Sequence, residues 1–149
     1  MRAALRAGVV AAVLSGTPST AWALATRADP LEPSLAAGSM LLPRATSRRQ
    51  LLVAATGVHA ALSLGWAQVL ALVPGSRRRT PVSGALWGAG AGLIIAALDL
   101  GLAYVSHSAR LTAARALPAL PQAADHLAYG AIVGALLAAP TLTNRVETE

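Results

Sequence analysis

The stretch Val82–Val105, VSGALWGAGAGLIIAALDLGLAYV, decides the fold class of this chain. It exceeds the roughly 20 residues that an α-helix needs to cross a hydrocarbon core of about 30 Å. Asp99 is its only charged residue, and Gly84, Gly88 and Gly92 recur at every fourth position. Because residues four apart lie on one helix face, the stretch predicts a membrane-spanning helix with one narrow packing face.

The whole chain has the composition of a membrane protein. Hydrophobic residues make up 55% and charged residues only 12%, whereas a soluble domain carries about 25% charged residues. Its basic residues are all Arg and lie mostly between apolar segments, as at membrane flanks. The net charge of +6 therefore does not predict nucleic-acid binding, which needs Arg clustered with aromatic residues on a soluble surface. The absence of cysteine excludes disulfides, thiolate metal sites and cysteine nucleophiles.

Four segments have the length and apolarity of spans, and a fifth is too short to cross. In 31–43, Pro33 suits the first turn of a helix and Pro43 its end, which predicts a short interfacial or re-entrant helix. The prediction is an all-α, polytopic membrane protein: a four-transmembrane-helix bundle with a short interfacial helix, in a single membrane domain over residues 1–149. The predicted spans are 7–25, 50–73, 82–105 and 122–140.

The first span has a competing interpretation as a secretory signal peptide. Arg2 and Arg6 form a basic start, and Ala23-Leu24-Ala25 resembles a cleavage site. A polar interruption leaves a long gap before that site, and the sequence that follows stays apolar. These features favour a retained span.

That interruption, SGTPST at 15–20, is out of place in a membrane helix. Pro18 has no N–H for the carbonyl of Leu14, so a continuous helix would kink there. Alternatively, the helix stops near Gly16 and restarts with Thr17 as its N-cap. Kinks satisfied by Ser and Thr are commoner, but broken helices often build substrate sites in membranes.

A few polar side chains are predicted to face the bundle interior. Asp99 follows Gly92 by two helical turns, and a charged Asp near mid-membrane costs about 3 kcal/mol. It either takes part in proton or ion movement or only fixes helix packing through hydrogen bonds. His59 makes one interhelical hydrogen bond, or it pairs with Asp99 to relay protons. The intramembrane polar candidates are Thr17, Ser19, His59, Ser63 and Asp99.

Small residues four apart mark the expected helix-packing faces. The packing residues are Gly84, Gly88, Gly92, Gly130 and Gly134.

Asp125 and His126 resemble an acid/base or metal pair, but adjacent residues project about 100° apart on a helix. Asp125 also lies in the first turn after Pro121, where the helix dipole favours a carboxylate. Both residues are therefore predicted to be interfacial. The chain has no convergent set of three or four metal ligands and no catalytic motif, so no metal, cofactor or enzymatic activity is predicted.

Five strings carry a resemblance to a family. The chain resembles a group of small, uncharacterised integral membrane proteins of high-GC actinobacteria, over Gly8 to Leu137. The resemblance implies a multi-pass plasma-membrane protein and assigns no activity and no functional residues. The strings are SGTPSTAWAL, AAGSMLLP, HAALSLGWAQVLA, ALDLGLA and ALPALPQAADHLAYGAIVG.

Two functions are compatible with these features. The favoured one is a non-enzymatic accessory or oligomer-forming subunit whose partners are the lipid bilayer and a homo-oligomer or larger membrane complex. The alternative is a small transporter or channel-like protein with a polar intramembrane site around His59 and Asp99. Arg residues divide equally between the two sides of a four-span topology. The triplet Arg77–Arg79 concentrates positive charge in one short loop, which predicts that this loop is cytoplasmic. In a four-span topology both termini lie on the same side as this loop, so they are predicted to be cytoplasmic as well.

Overall fold

The computed structural model describes residues 1–45, 47–76 and 79–139, and every long element in these ranges is helical. This confirms the all-α prediction. The residues Arg77, Arg78, Pro140 and Arg145, which entered the predictions of sidedness and of the last span, lie outside the described ranges. A short 3₁₀ turn lies at Ala109–Leu111. The helices are α1 (Arg2–Leu14), α2 (Thr17–Thr26), α3 (Glu32–Leu41), α4 (Arg48–Leu72), α5 (Pro81–Val105), α6 (Thr112–Ala116) and α7 (Ala119–Ala138).

Within the described residues, three helical stretches are long and apolar enough to cross a membrane: Arg2–Thr26, which joins α1 and α2, then α4, then α5. The fourth long helix, α7, is not among them, since Gln122, Asp125 and His126 lower the hydropathy of its first half. It lies at the centre of the bundle, in contact with α5, α1, α2 and α4. Polar residues are tolerated on such a helix because they face protein instead of lipid.

Local sequence signals set some of the helix termini. α5 begins after Thr80, whose hydroxyl accepts the N–H of Ser83 at 3.2 Å, and Pro81 occupies the first helical position. α2 ends at Thr26, and its C-cap Arg27 has a φ of 59°, in the left-handed region that glycine usually occupies at helix ends. Capping and proline chemistry thus set the start of α5, whereas no local signal marks the end of α2.

The bundle has small side chains inside and large apolar ones outside. Ala4, Ala7, Ala11 and Ala67 are completely buried, and Val133 is the largest fully buried side chain. Soluble domains instead bury their largest apolar side chains. In lipid the outside is as apolar as the inside, and small residues let helices approach closely. The exposed apolar side chains include Val9, Val13, Leu62, Val69, Leu86, Ile94, Leu98 and Leu102.

The most extensive close contact in the bundle joins α5 to α7. A Cβ added to Gly88 would lie 2.0 Å from the carbonyl oxygen of Gly130, and one added to Gly92 would lie 2.1 Å from that of His126. Gly84 faces Gly134 in the same way, with 2.5 Å between the added Cβ and the carbonyl oxygen. Backbone therefore packs on backbone, and the two helices run antiparallel in a register that these glycines define.

Gly88→Ala tests this contact, with Gly90→Ala as its control two residues along the same helix. The Gly88 change should destabilise the protein by about 2 kcal/mol or more, because the added methyl group meets backbone that cannot rotate away. Gly90 has nothing within 4 Å of an added Cβ, so Ala there should be neutral or stabilising by up to about 1 kcal/mol. Thermal unfolding in detergent, monitored by near-UV circular dichroism of the tryptophan side chains, measures the stability of both variants. Equal losses of stability in the two variants would contradict the packing assignment.

Candidate functional site

The interruption of the first span lies between α1 and α2. Ser15 and Gly16 keep backbone angles close to helical, with φ and ψ of −70° and −20° for Ser15 and −78° and 2° for Gly16. The chain direction therefore continues while the hydrogen-bond ladder is broken. Pro18 leaves the carbonyl of Leu14 without its usual donor, and the hydroxyl of Thr17 donates to that carbonyl at 2.7 Å. Gly16, and not Thr17, occupies the N-cap position of α2.

His59 of α4 supplies a second replacement bond on the α1 side of the interruption. Its Nε2 lies 2.7 Å from the carbonyl oxygen of Ala12. A carbonyl can only accept, so Nε2 carries the proton and donates it. His59 lies eleven residues after Arg48, the first residue of α4, or about 16 Å along the helix axis. This bond therefore joins α4 to α1 about half-way along α4, with His59 at the exposed surface of the bundle.

Asp125 of α7 supplies the corresponding bond on the α2 side. The N–H of Ser19 donates to Asp125 Oδ1 at 2.9 Å, where an uninterrupted helix would use the carbonyl of Ser15. Ser19 is buried, and its own hydroxyl donates to the carbonyl of Gly16 at 3.2 Å. A carboxylate at a helix N-terminus accepts from backbone N–H groups and is favoured by the helix dipole. Asp125 thus caps α2 from a neighbouring helix.

His126, the next residue, points to the other side of α7 and meets Asp99 of α5. Nε2 of His126 lies 3.2 Å from Asp99 Oδ2, and Nδ1 lies 2.8 Å from the carbonyl oxygen of Gln122. The contact follows from the glycine register, which sets His126 opposite Gly92. Helical side chains lean towards their own N-terminus, so in this antiparallel pair His126 and Asp99 lean towards each other.

The two contacts of His126 fix the number of protons in the pair. Nδ1 faces a carbonyl and must donate, so Nδ1 is protonated. Nε2 and Asp99 Oδ2 then need one more proton between them, carried either by the imidazole or by the carboxyl group. Both arrangements are neutral overall, which lowers the cost of burying the pair. The side chains of His126 and Asp99 are 26% and 39% exposed.

The five residues Ser19, His59, Asp99, Asp125 and His126 are termed the polar network. Among the sequence candidates, which were expected to face the bundle interior, Ser19 is buried at the interruption, whereas Thr17 and His59 are exposed. Ser63 is buried on α4, and its carbonyl accepts from the hydroxyl of Tyr129. The hydrogen bonds of His59 and Asp99 go to different partners, Ala12 and His126. The structure therefore brings Asp99 to His126, a pairing that sequence reasoning missed although the two glycine stripes carried the signal.

No metal site is evident in the polar network. In the part of the chain that the structure describes, no three His, Asp or Glu side chains converge as metal ligands would. The network instead consists of hydrogen bonds between side chains and backbone, plus one carboxyl–imidazole pair. Such a set can bind, hold and release protons.

The cap on α2 predicts different effects for two substitutions of Asp125. Asp125→Ala removes the acceptor for the Ser19 N–H and should lower stability by about 1 kcal/mol. Asp125→Asn keeps an oxygen acceptor and should retain most of that stability. Thermal unfolding of both variants in detergent measures the difference, and an equal loss in both would show that the charge, not the cap, is what stabilises the protein.

The hydrogen bonds predict opposite protonation of two histidine rings. His126 should keep a proton on Nδ1, whereas neutral His59 should carry its proton on Nε2. Solid-state NMR of protein labelled with ¹⁵N-histidine, with His59→Gln and His126→Gln for assignment, distinguishes the ring nitrogens. An unprotonated Nδ1 in His126 would contradict the contact with the Gln122 carbonyl.

The comparisons with known proteins supply no relative for this chain. No protein-family model matches it, and no curated protein and no solved structure does either. A function is therefore argued from the polar network and its surroundings alone.

Proposed function

We propose that this chain is a small multi-pass membrane protein that conducts or transports protons through the polar network. The observation that carries the proposal is the position of four ionisable side chains around an interrupted membrane helix. His59 is exposed, and Asp99, Asp125 and His126 are partly buried. Ionisable groups within membrane helices are costly and are commonly found on ion and proton pathways. Interrupted helices at membrane depth are a recurrent element of transporter sites.

The topology that goes with this proposal has four spans. Arg2–Thr26, α4 and α5 have the required length and apolarity, and α7 completes the bundle as a central helix with 20 residues. α3 is too short to cross and packs tightly on the start of α4, where an added Cβ on Gly38 would lie 2.0 Å from the Leu51 carbonyl oxygen. It therefore fits an interfacial position.

The proposed location is a bacterial plasma membrane, with both chain termini on the cytoplasmic side. The resemblance to actinobacterial membrane proteins supports the location. The Arg77–Arg79 triplet in the short loop between α4 and α5 supports the orientation, because short Arg-rich loops stay cytoplasmic. α1 begins and α7 ends at the same end of the bundle as that loop.

Protonation would act on the interruption through Asp125. Ionised, its carboxylate makes a charge-assisted bond with the Ser19 N–H, and such bonds are about twice as strong as neutral ones. When Asp125 is protonated, its hydrogen bond to the Ser19 N–H is weaker, and α7 stabilises the start of α2 less. Proton binding at Asp125 would therefore loosen the contact between α7 and α2, which couples proton occupancy to movement at the interruption.

Proton flux into vesicles tests the proposal. Purified protein in liposomes that contain a pH-sensitive dye should pass protons when a potential is imposed with potassium and valinomycin. Asp99→Asn and Asp125→Asn should reduce the flux to the leak of protein-free vesicles, because an amide keeps a hydrogen bond but does not titrate at these pH values. His107→Gln, an exposed histidine outside the polar network, should leave it unchanged.

A purely structural role for the network gives a different result. In that case both Asn variants and the wild-type protein would show the same flux, and any effect would appear in stability alone. Normal unfolding temperatures with lost flux would uphold the proposal. Equal flux at the leak level in all proteins would refute it.

A second candidate function is the oligomer-forming subunit, which one observation favours. Gly57, Ala61 and Gly65 form an exposed stripe on α4, and the two glycines have nothing within 4 Å of an added Cβ. Small residues four apart are typical of helix–helix contacts in membranes. The stripe has no partner within the described chain.

Cross-linking distinguishes this candidate, because the native chain has no cysteine. Oxidation of an Ala61→Cys variant in membranes should give a covalent dimer if α4 pairs with a second copy, since a disulfide needs Cα atoms within about 7 Å. Leu62→Cys, exposed but turned about 100° round the helix, is the matched control. Equal cross-linking of both variants would indicate random collision.

A further inference from the structure

A small cleft opens beside the polar network, at the end of the bundle that holds the start of α7. It has a volume of about 50 Å³ and lies between α2, the start of α3 and the start of α7. Its polar lining residues are Ser19, Gln122, Asp29 and Glu32. Ser19 is only 8% exposed, whereas Asp29 and Glu32 are exposed. The cleft therefore runs from the surface inward to Ser19.

Two residues of the cleft lining, Ser19 and Gln122, hold the polar network, while most of the other lining residues are apolar, among them Trp22, Ala23 and Leu117. The N–H of Ser19 binds Asp125, and the carbonyl of Gln122 accepts from Nδ1 of His126. Water in the cleft would thus lie beside two direct partners of the ionisable groups. A volume of about 50 Å³ accommodates a few water molecules, each of which needs roughly 10–15 Å³.

The outer end of the cleft is acidic. Asp29 forms an ion pair with Arg48 at 2.7 Å. The backbone N–H of Leu31, together with the Arg48 guanidinium, outweighs desolvation and holds the pKa of Asp29 below its ordinary value, so this carboxylate is charged at neutral pH. Within the described residues, Glu32 has no ion-pair partner. Glu32 is therefore the unpaired carboxylate of the cleft lining, and its negative charge favours cations over anions locally, next to the nearby Arg27.

We propose that this cleft is the water-filled route by which protons reach Asp125 and His126 from the end of the bundle that carries Asp29 and Glu32. The inference rests on the proposed proton function and adds the side and the path of entry. It also predicts that the first span faces water on one side of its interruption, along Ser19 and Ala23, and lipid on the other, along Ala21.

Thiol labelling tests the route without measuring transport. Ser19→Cys and Ala23→Cys place thiols along the cleft, and Ser19→Cys is nearly isosteric, so one variant remains informative if the other fails to fold. Two controls bracket them. Ala67→Cys lies in the dry core, where Ala67 is 0% exposed, and Ala21→Cys lies on the exposed face of α2.

A charged, membrane-impermeant methanethiosulfonate reagent is applied to intact cells and to inverted vesicles. The cleft thiols should react from one side only, the side from which an exposed Ser108→Cys marker also reacts, and the two control thiols should not. A cationic reagent should react faster than an anionic one, and Glu32→Gln should reduce that ratio. Cleft thiols as unreactive as Ala67→Cys, or reactive from the opposite side, would overturn the route.

The labelling and flux results separate the two proposals. Unreactive cleft thiols together with a flux that requires Asp125 would overturn the route alone. Reactive cleft thiols together with a flux indifferent to Asp125→Asn would overturn the proton function and the route with it. Reactive cleft thiols, a flux that requires Asp125, and a flux blocked by the bound reagent in Ser19→Cys would uphold both.

Discussion

The backbone contact between α5 and α7 is the constraint on which the other features depend. Gly88 and Gly130 let the two helices approach until a methyl group no longer fits between them. Such proximity permits only a few registers, since each glycine must meet backbone and not a side chain. The register that results sets His126 opposite Gly92 and within reach of Asp99. A packing requirement of residues without side chains thus determines which ionisable groups meet.

The central position of α7 follows from the same contact. With α5 closely packed on one face, its other faces contact α1, α2 and α4. Asp125 and His126, adjacent in sequence, point to different neighbours, so each acquires one partner across a helix interface. Lipid would leave these groups unsatisfied at a cost of several kcal/mol each. Surrounded by helices, they instead satisfy backbone and side-chain atoms that would otherwise lack partners.

The interruption of the first span and the polar network support each other. Pro18 and the breaks around it free a carbonyl at Ala12 and an N–H at Ser19, and side chains from α4 and α7 bond to both. The helix could not remain interrupted in lipid without these bonds. Conversely, His59 and Asp125 would lack these backbone partners if the helix were continuous. In the proposed function, protonation of Asp125 would act on the backbone of the first span through the bond to the Ser19 N–H.

Much of the architecture was predictable from local sequence. The helical class, the long apolar segments, the short third helix and the interruption at Pro18 all follow from composition, periodicity and the missing proline N–H. The glycine stripes also indicated which faces would pack. An antiparallel pairing of those stripes, combined with the lean of helical side chains, would have placed His126 near Asp99, but the sequence does not state which stripe meets which.

The sequence by itself determined that this chain forms apolar helices with small-residue faces and a few ionisable groups, because those properties depend on composition and on spacing within one segment. Only the tertiary structure decided that Asp99 pairs with His126 and not with His59, and that Asp125 caps α2 instead of the start of its own helix. The reason is that these contacts depend on the relative register of separate helices. Register is set by how closely whole backbones approach, and no single segment encodes that distance.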